Sequence, residues 1–265
     1  MPKIKVNSLE MNYNEFGAGN KGTPILLLHG LGSQSKFMEP LANFLVKNCQ
    51  SHVFTVDLPG FGYSDRHEDH PDTDQSYSIE SFAKDVVGWL DAMGLKKVHF
   101  LGHSMGGMIA QLIAKEHADR IEKLILLATG THLRVSSVEV GLAKILPLKA
   151  TVKISFGRAF PTDAPAKIDE AVTASMQRTS RTAFVKGLAQ ITKKHFYSEP
   201  WLSQIKVPTL VIGSENDRQL GYDMSKLLAE KIPGAILYTI RGGCHEAQVM
   251  FTDEVGKAVV KFITA

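Results

Sequence analysis

The stretch Leu101-Gly102-His103-Ser104-Met105-Gly106-Gly107 constrains this chain more than any other. Its G-x-S-x-G core follows an apolar run from Lys97 to Leu101 and leads into Ala110, Ile113 and Ala114 at helical spacing. A serine so placed sits on a sharp strand-to-helix turn. Glycines two before and two after it let strand and helix approach without Cβ clashes, and the hydroxyl is presented to a ligand. With 22 glycines in 265 residues the pentapeptide alone is a weak signal, expected by chance in about one such chain in ten. Its surroundings decide what it means.

Pro24 to Leu28, Val53 to Val56, Ile121 to Ala128, Val207 to Gly213 and Ala235 to Ile240 are further apolar runs, of the kind that forms strands buried on both faces. Helical patterns fall between them: about Lys36 to Asn48, Ser78 to Met93 with Gly94 as its stop, Tyr222 to Lys231, and a last helix at the C-terminus. Residues 3 to 16 alternate loosely and break at Gly17-Ala18-Gly19-Asn20, which predicts short antiparallel edge strands. Apolar strands alternating with helices imply a parallel sheet with right-handed crossovers, whose ligand site lies beyond the carboxyl ends of the strands. His29, Asp57 and Ser104 fall at such ends. From Thr131 to Ser198 the strand rhythm stops, and weakly helical segments carry Leu133, Ile145, Phe156, Phe160, Phe184 and Leu188. The chain therefore divides into a core, 1–130 with 199–265, and an inserted helical cap, 131–198.

A serine hydroxyl is a poor nucleophile at neutral pH. It needs a base within hydrogen-bond reach and a carboxylate to orient that base. Of ten histidines, His245 follows a buried strand through the glycine-rich loop Arg241-Gly242-Gly243-Cys244, which places it above the sheet's carboxyl edge. Asp217, in Gly213-Ser214-Glu215-Asn216-Asp217, follows the preceding strand in the same way, with Glu215 as its rival.

His29-Gly30, the loop from Asp57 to Ser64, the turn at Ser104, the G-x-x-x-D from Gly213 to Asp217, and His245 together resemble the α/β-hydrolase family, over nearly the whole chain. The resemblance implies an α/β fold with a mostly parallel central sheet of about eight strands flanked by helices. It implies Ser104 as nucleophile, His245 as base and Asp217, favoured over Glu215 by the family spacing, as orienting acid. The oxyanion hole would be the backbone N–H groups of Leu31 and Met105. Asp57 would brace the turn rather than react. Serine as the nucleophile sets aside the dehalogenase and epoxide-hydrolase branches, which use aspartate there.

The resemblance thus implies a carboxylesterase-like hydrolase that cleaves a small to medium ester through an acyl-enzyme and needs no metal or organic cofactor. Thioesterase, acyl-carrier ester hydrolase, amidase, C–C hydrolase and perhydrolase chemistry use the same triad, and a slow-turnover small-molecule receptor would carry it too. Substrate contacts are expected from residues 131–198. That segment holds 11 Lys and Arg against 4 Asp and Glu, so an anionic ester is one option.

Composition narrows the remaining choices. A net charge of +3 without a basic block argues against nucleic acid as partner. Two distant cysteines, Cys49 and Cys244, argue against a disulfide framework or a zinc site, and His67-Glu68-Asp69-His70 reads as a solvated loop rather than a metal site. With neither a signal-peptide pattern nor a membrane-spanning run, the expectation is a cytoplasmic monomer or homodimer acting on a small molecule, away from membranes.

Overall fold

A computed structural model describes residues 2–265. Eight strands form one sheet: β1 (Lys3–Val6), β2 (Leu9–Phe16), β3 (Gly22–Leu28), β4 (Ser51–Val56), β5 (Val98–His103), β6 (Ile121–Leu127), β7 (Thr209–Ser214) and β8 (Ile236–Ile240). Their order is β1-β2-β4-β3-β5-β6-β7-β8. From β4 to β8 every neighbouring pair is parallel, while β1 with β2 and β2 with β4 are antiparallel.

The helices are α1 (Glu39–Cys49), α2 (Ile79–Ala92), α3 (Met105–Glu116), α4 (Ser137–Ile145), α5 (Leu148–Ala159), α6 (Pro165–Arg178), α7 (Arg181–Gln190), α8 (Tyr222–Lys231), α9 (Ala247–Met250) and α10 (Thr252–Thr264). The central strands are mostly apolar because both faces are covered. In β3, Ile25 and Leu27 join Leu41 and Leu45 of α1 and Val255 and Val259 of α10. Leu26 and Leu28 join Val86 and Trp89 of α2 and Ile109 and Ile113 of α3 on the other side. Among the described residues, no helix is long and apolar enough to cross a membrane.

One boundary differs from the sequence pattern. The helix expected from Lys36 begins at Glu39 after a 3-10 turn, Ser35–Met38, because Pro40 favours the first turn of a helix and cannot extend one backwards. The edge hairpin turns at Asn7-Ser8, with Asn7 at φ 54° and Val6 paired to Leu9, while Gly17 to Asn20 separates β2 from β3. Asparagine tolerates that left-handed turn, so no glycine marks it.

Helices α4 to α7 fall between β6 and β7 and build their own apolar cluster of Val152, Phe156, Phe160, Val172 and Phe184. Leu31 and Met250, near the carboxyl edge of the sheet, pack against it. Ser180 N–H donates to the Gly60 carbonyl at 2.7 Å and Ser175 Oγ to that of Gly32 at 2.5 Å, so these helices are tied over the strand ends.

Candidate active site

Ser104 stands between β5 and α3 at φ 54° and ψ −120°, a conformation that costs about 1–3 kcal/mol and persists only where its surroundings enforce it. Here they do: its N–H donates to the Leu127 carbonyl at 3.1 Å, and its own carbonyl accepts from Thr129 Oγ1 at 2.6 Å. The flanking glycines are explained by crowding. A Cβ on Gly102 would lie 2.3 Å from the Gly106 carbonyl oxygen, and one on Gly106 would lie 2.6 Å from that of Leu28.

The structure brings together three of the side chains named from sequence. Ser104 Oγ lies 2.9 Å from His245 Nε2, and His245 Nδ1 lies 2.8 Å from Asp217 Oδ2. Asp217 Oδ1 accepts the N–H groups of Gln219 and Leu220 at 2.8 and 3.0 Å. Burial pushes the Asp217 carboxyl up, but the charge and hydrogen bond of His245 and these two donors prevail and hold it down to about 2. Burial pulls His245 down, and the Asp217 carboxylate more than reverses it, leaving the imidazole above its ordinary range. An ionised Asp217 accepts the Nδ1 proton, so Nε2 is free to accept the Ser104 hydroxyl. Glu215, the rival acid, instead accepts the Gly242 N–H at 2.9 Å on the surface.

Met105 heads α3, where an N–H has no acceptor within the helix and faces the positive end of its dipole. Leu31 follows Gly30, whose backbone runs so close to Ser104 that a Cβ there would lie 2.9 Å from Ser104 Cβ. Both backbone groups are thus near the serine. His29 Nδ1 donates to the Gly30 carbonyl at 2.8 Å, and its Nε2 accepts from Leu58 N–H at 3.0 Å. Asp57 accepts from Ser35 N–H, Tyr63 N–H and Asn12 Nδ2 at 2.6, 2.9 and 2.7 Å, a bracing role away from His245.

The loop read as solvated differs from expectation. His67 is 1% exposed with Nε2 2.9 Å from Asp85 of α2, and Glu68 accepts the hydroxyls of Tyr77 and Ser180. The inserted helices fold back over this polar run, which sequence composition alone could not show. Cys244 is buried, and burial raises its thiol to about 11, so it is held as a neutral packing group.

Three neighbours of the serine were not singled out by sequence. His103, the residue before it, directs Nε2 to the backbone carbonyl of His245 at 3.0 Å. Burial, and then the nearby His245 charge, push this ring down to about 3, so it is neutral. Gln219 donates to Ser155 Oγ of α5 at 3.4 Å, and Glu246 follows the base directly. None belongs to a recognisable spacing, because each acts through a contact made across the fold.

Ser104 and His245 open into a cavity of about 30 Å³, bounded also by Leu31, Phe156, Leu220 and Glu246. No Lys or Arg is among the described residues that line it. Ser155 and Gln219 also border a second, largely apolar cavity of about 220 Å³ between α4, α5 and α7, walled by Val135, Leu142, Leu146, Ile154 and Leu188, with Arg158 and Glu139, paired at 3.0 Å, also in its lining. The one group of metal-ligating side chains among the described residues is His103, His245 and Glu246, with ligand atoms within 4.8 Å of one another. His245 uses both of its ring nitrogens and His103 its Nε2 in the hydrogen bonds above, so the cluster belongs to this site.

A serine on a strained turn, hydrogen-bonded through an imidazole to a carboxylate above a parallel sheet, is the arrangement of an α/β hydrolase. The chain has the α/β-hydrolase fold, and the sequence model of that fold family matches residues 23–150. It is 28% identical over 275 residues to a 2-hydroxy-6-oxononadienedioate/2-hydroxy-6-oxononatrienedioate hydrolase of Dechloromonas aromatica, covering 97% of this chain and 91% of that protein. An enol-lactonase from Burkholderia xenovorans matches with a TM-score of 0.88 at 26% identity, covering 100% of each chain. An N-acyl homoserine lactone degrading enzyme matches with a TM-score of 0.84 at 25% identity, covering 98% of this chain and 100% of its own. The chain is an enzyme, a hydrolase.

Proposed function

We propose that the chain hydrolyses an uncharged carboxylic ester or lactone of short to medium acyl chain, with Ser104 as nucleophile, His245 as base and Asp217 as orienting acid. The observation that carries this reading is the hydrogen-bonded chain from Asp217 to Ser104, opening into a cavity lined without Lys or Arg. Ser104 Oγ adds to the ester carbonyl while its proton passes to His245 Nε2. The backbone N–H groups of Leu31 and Met105 hold the oxyanion, a pair in which one donor is worth about 3 kcal/mol of transition-state stabilisation. His245 then protonates the departing alcohol. Water, deprotonated by the same nitrogen, releases the acid and restores the serine.

Residues 131–198 act as a cap in this reading. The apolar cavity between α4, α5 and α7 takes the longer end of the substrate, and Ser155 with Gln219 stands between it and Ser104. No basic side chain of the cap lines the Ser104 cavity, and Arg158, which borders the larger one, is paired with Glu139 at 3.0 Å, which supports a neutral substrate.

Hydrolysis of a C–C bond is the second reading, favoured by the likeness to the dioate hydrolase of Dechloromonas aromatica. A panel of neutral esters of graded acyl length, lactones and carboxylated vinylogous diketones separates the two. Many turnovers per site on neutral esters, lost in Ser104→Ala, support the ester reading; turnover confined to the diketones overturns it. Near-stoichiometric product from every substrate would instead indicate a receptor.

A further inference from the structure

Glu246 is a buried carboxyl for which the hydrolytic steps have no use. It follows His245, is 3% exposed, and lines the same small cavity as Ser104. A carboxyl oxygen lies within 4.8 Å of ring nitrogens of His103 and His245. Gln248 Nε2 donates to it at 2.5 Å, and its own N–H donates to the Ala159 carbonyl at the end of α5, fixing it between core and inserted helices. Glutamate is rarely buried without a cation, because desolvating its charge costs several kcal/mol. Burial accordingly pushes this carboxyl up, opposed by His245 and by the Gln248 hydrogen bond. The other polar side chains bounding the cavity, Ser33, Ser155 and Gln219, are neutral.

We propose that Glu246 is a specificity-determining residue, which makes the Ser104 cavity reject acyl groups that carry a carboxylate and so confines the enzyme to uncharged ones. The proposal deepens the neutral-ester reading and rests on it. A carboxylate entering this cavity loses its water and meets no Lys or Arg; the one group there that takes up a positive charge, His245, is already paired with Asp217 at 2.8 Å, and a second carboxyl, Glu246, lies beside it. Two carboxyls at such a distance cannot both ionise freely, so the anion binds either against a like charge or with a proton taken from solvent. An amide of the same shape meets neither obstacle, and the discrimination arises from repulsion of the wrong ligand rather than attraction of the right one.

The test uses 2-carbamoylethylboronic acid and 2-carboxyethylboronic acid, isosteres that differ by one charge, as inhibitors at pH 8. Ser104 Oγ adds to boron, the hydroxyl proton passes to His245, and the tetrahedral boron carries the negative charge; nothing leaves. The wild-type enzyme is expected to bind the carbamoyl compound at least about tenfold more tightly, and Glu246→Gln to bring the two within about twofold. Equal binding by the wild type, tighter binding of the carboxylate, or a ratio unchanged in the variant overturns the assignment. Should the variant not fold, the wild-type ratio still decides, together with turnover of methyl succinamate against monomethyl succinate. Boronate binding reports on Ser104 whatever bond the enzyme cleaves. A failure to hydrolyse neutral esters with the charge preference intact therefore overturns the ester reading alone, and absence of any boronate binding overturns both.

Discussion

His103 Nε2 donates to the backbone carbonyl of His245 at 3.0 Å, so the residue before the serine holds the main chain of the base. Two histidine rings thereby sit 4.9 Å apart, one kept neutral and the other raised. His103→Ala frees that carbonyl and loosens the loop. We expect kcat on a short ester to fall by about tenfold with KM nearly unchanged, measured by steady-state kinetics.

The same ring makes the fold acid-sensitive. Unfolded, His103 takes up a proton as pH falls through its ordinary value of about 6.5; folded, it resists down to about 3. Between these values the unfolded state binds more protons, so stability is lost as pH falls. The loss attributable to this group is about 2 kcal/mol at pH 5 relative to pH 7. Urea unfolding at the two pH values, wild type against His103→Gln, should show the variant less sensitive.

Asp217 raises His245, and in the proposed mechanism His245 acts as the base only when neutral. The acid limb of kcat/KM is therefore expected above the ordinary imidazole range. Asp217→Asn should move that limb to lower pH and reduce kcat/KM by about 10⁴-fold, through loss of the correct tautomer. A pH–rate profile of both proteins checks the shift and the loss together.

Two glycines make opposite predictions. Gly102→Ala drives a methyl to 2.3 Å from a backbone oxygen and should destabilise by about 3 kcal/mol. Gly141, inside α4, has nothing within 4 Å of the place a methyl would take, so Gly141→Ala should stabilise by about 0.5–1 kcal/mol. Denaturant midpoints at constant slope measure both.

Asp57 lies at a strand end, as a reacting acid would, yet its three donors belong to Ser35, Tyr63 and Asn12. Asp57→Ala leaves buried N–H groups unpaired and should destabilise by about 3 kcal/mol. The acid limb of the remaining activity should stay where it is in the wild type, in contrast to Asp217→Asn.

The sequence by itself determined the sheet and the turn, because these depend on local rules, while the choice of Asp217 over Glu215 came from the resemblance to the α/β-hydrolase family. Strands buried on both faces must be apolar throughout, a serine between such a strand and a helix requires glycines where the backbones touch, and residues following parallel strands gather at one edge. Tertiary structure decided the rest. His67 is buried against Tyr77 and Asp85, and Glu68 beside it accepts the hydroxyl of Ser180 at the start of α7. His103 reaches the His245 carbonyl across a separation of 142 residues. Glu246 comes to line the Ser104 cavity because β8 pairs with β7 and returns its loop to the same edge of the sheet, which no periodicity records. Such contacts are set by packing between elements distant in sequence, and it is there that the preference for one substrate over another is made.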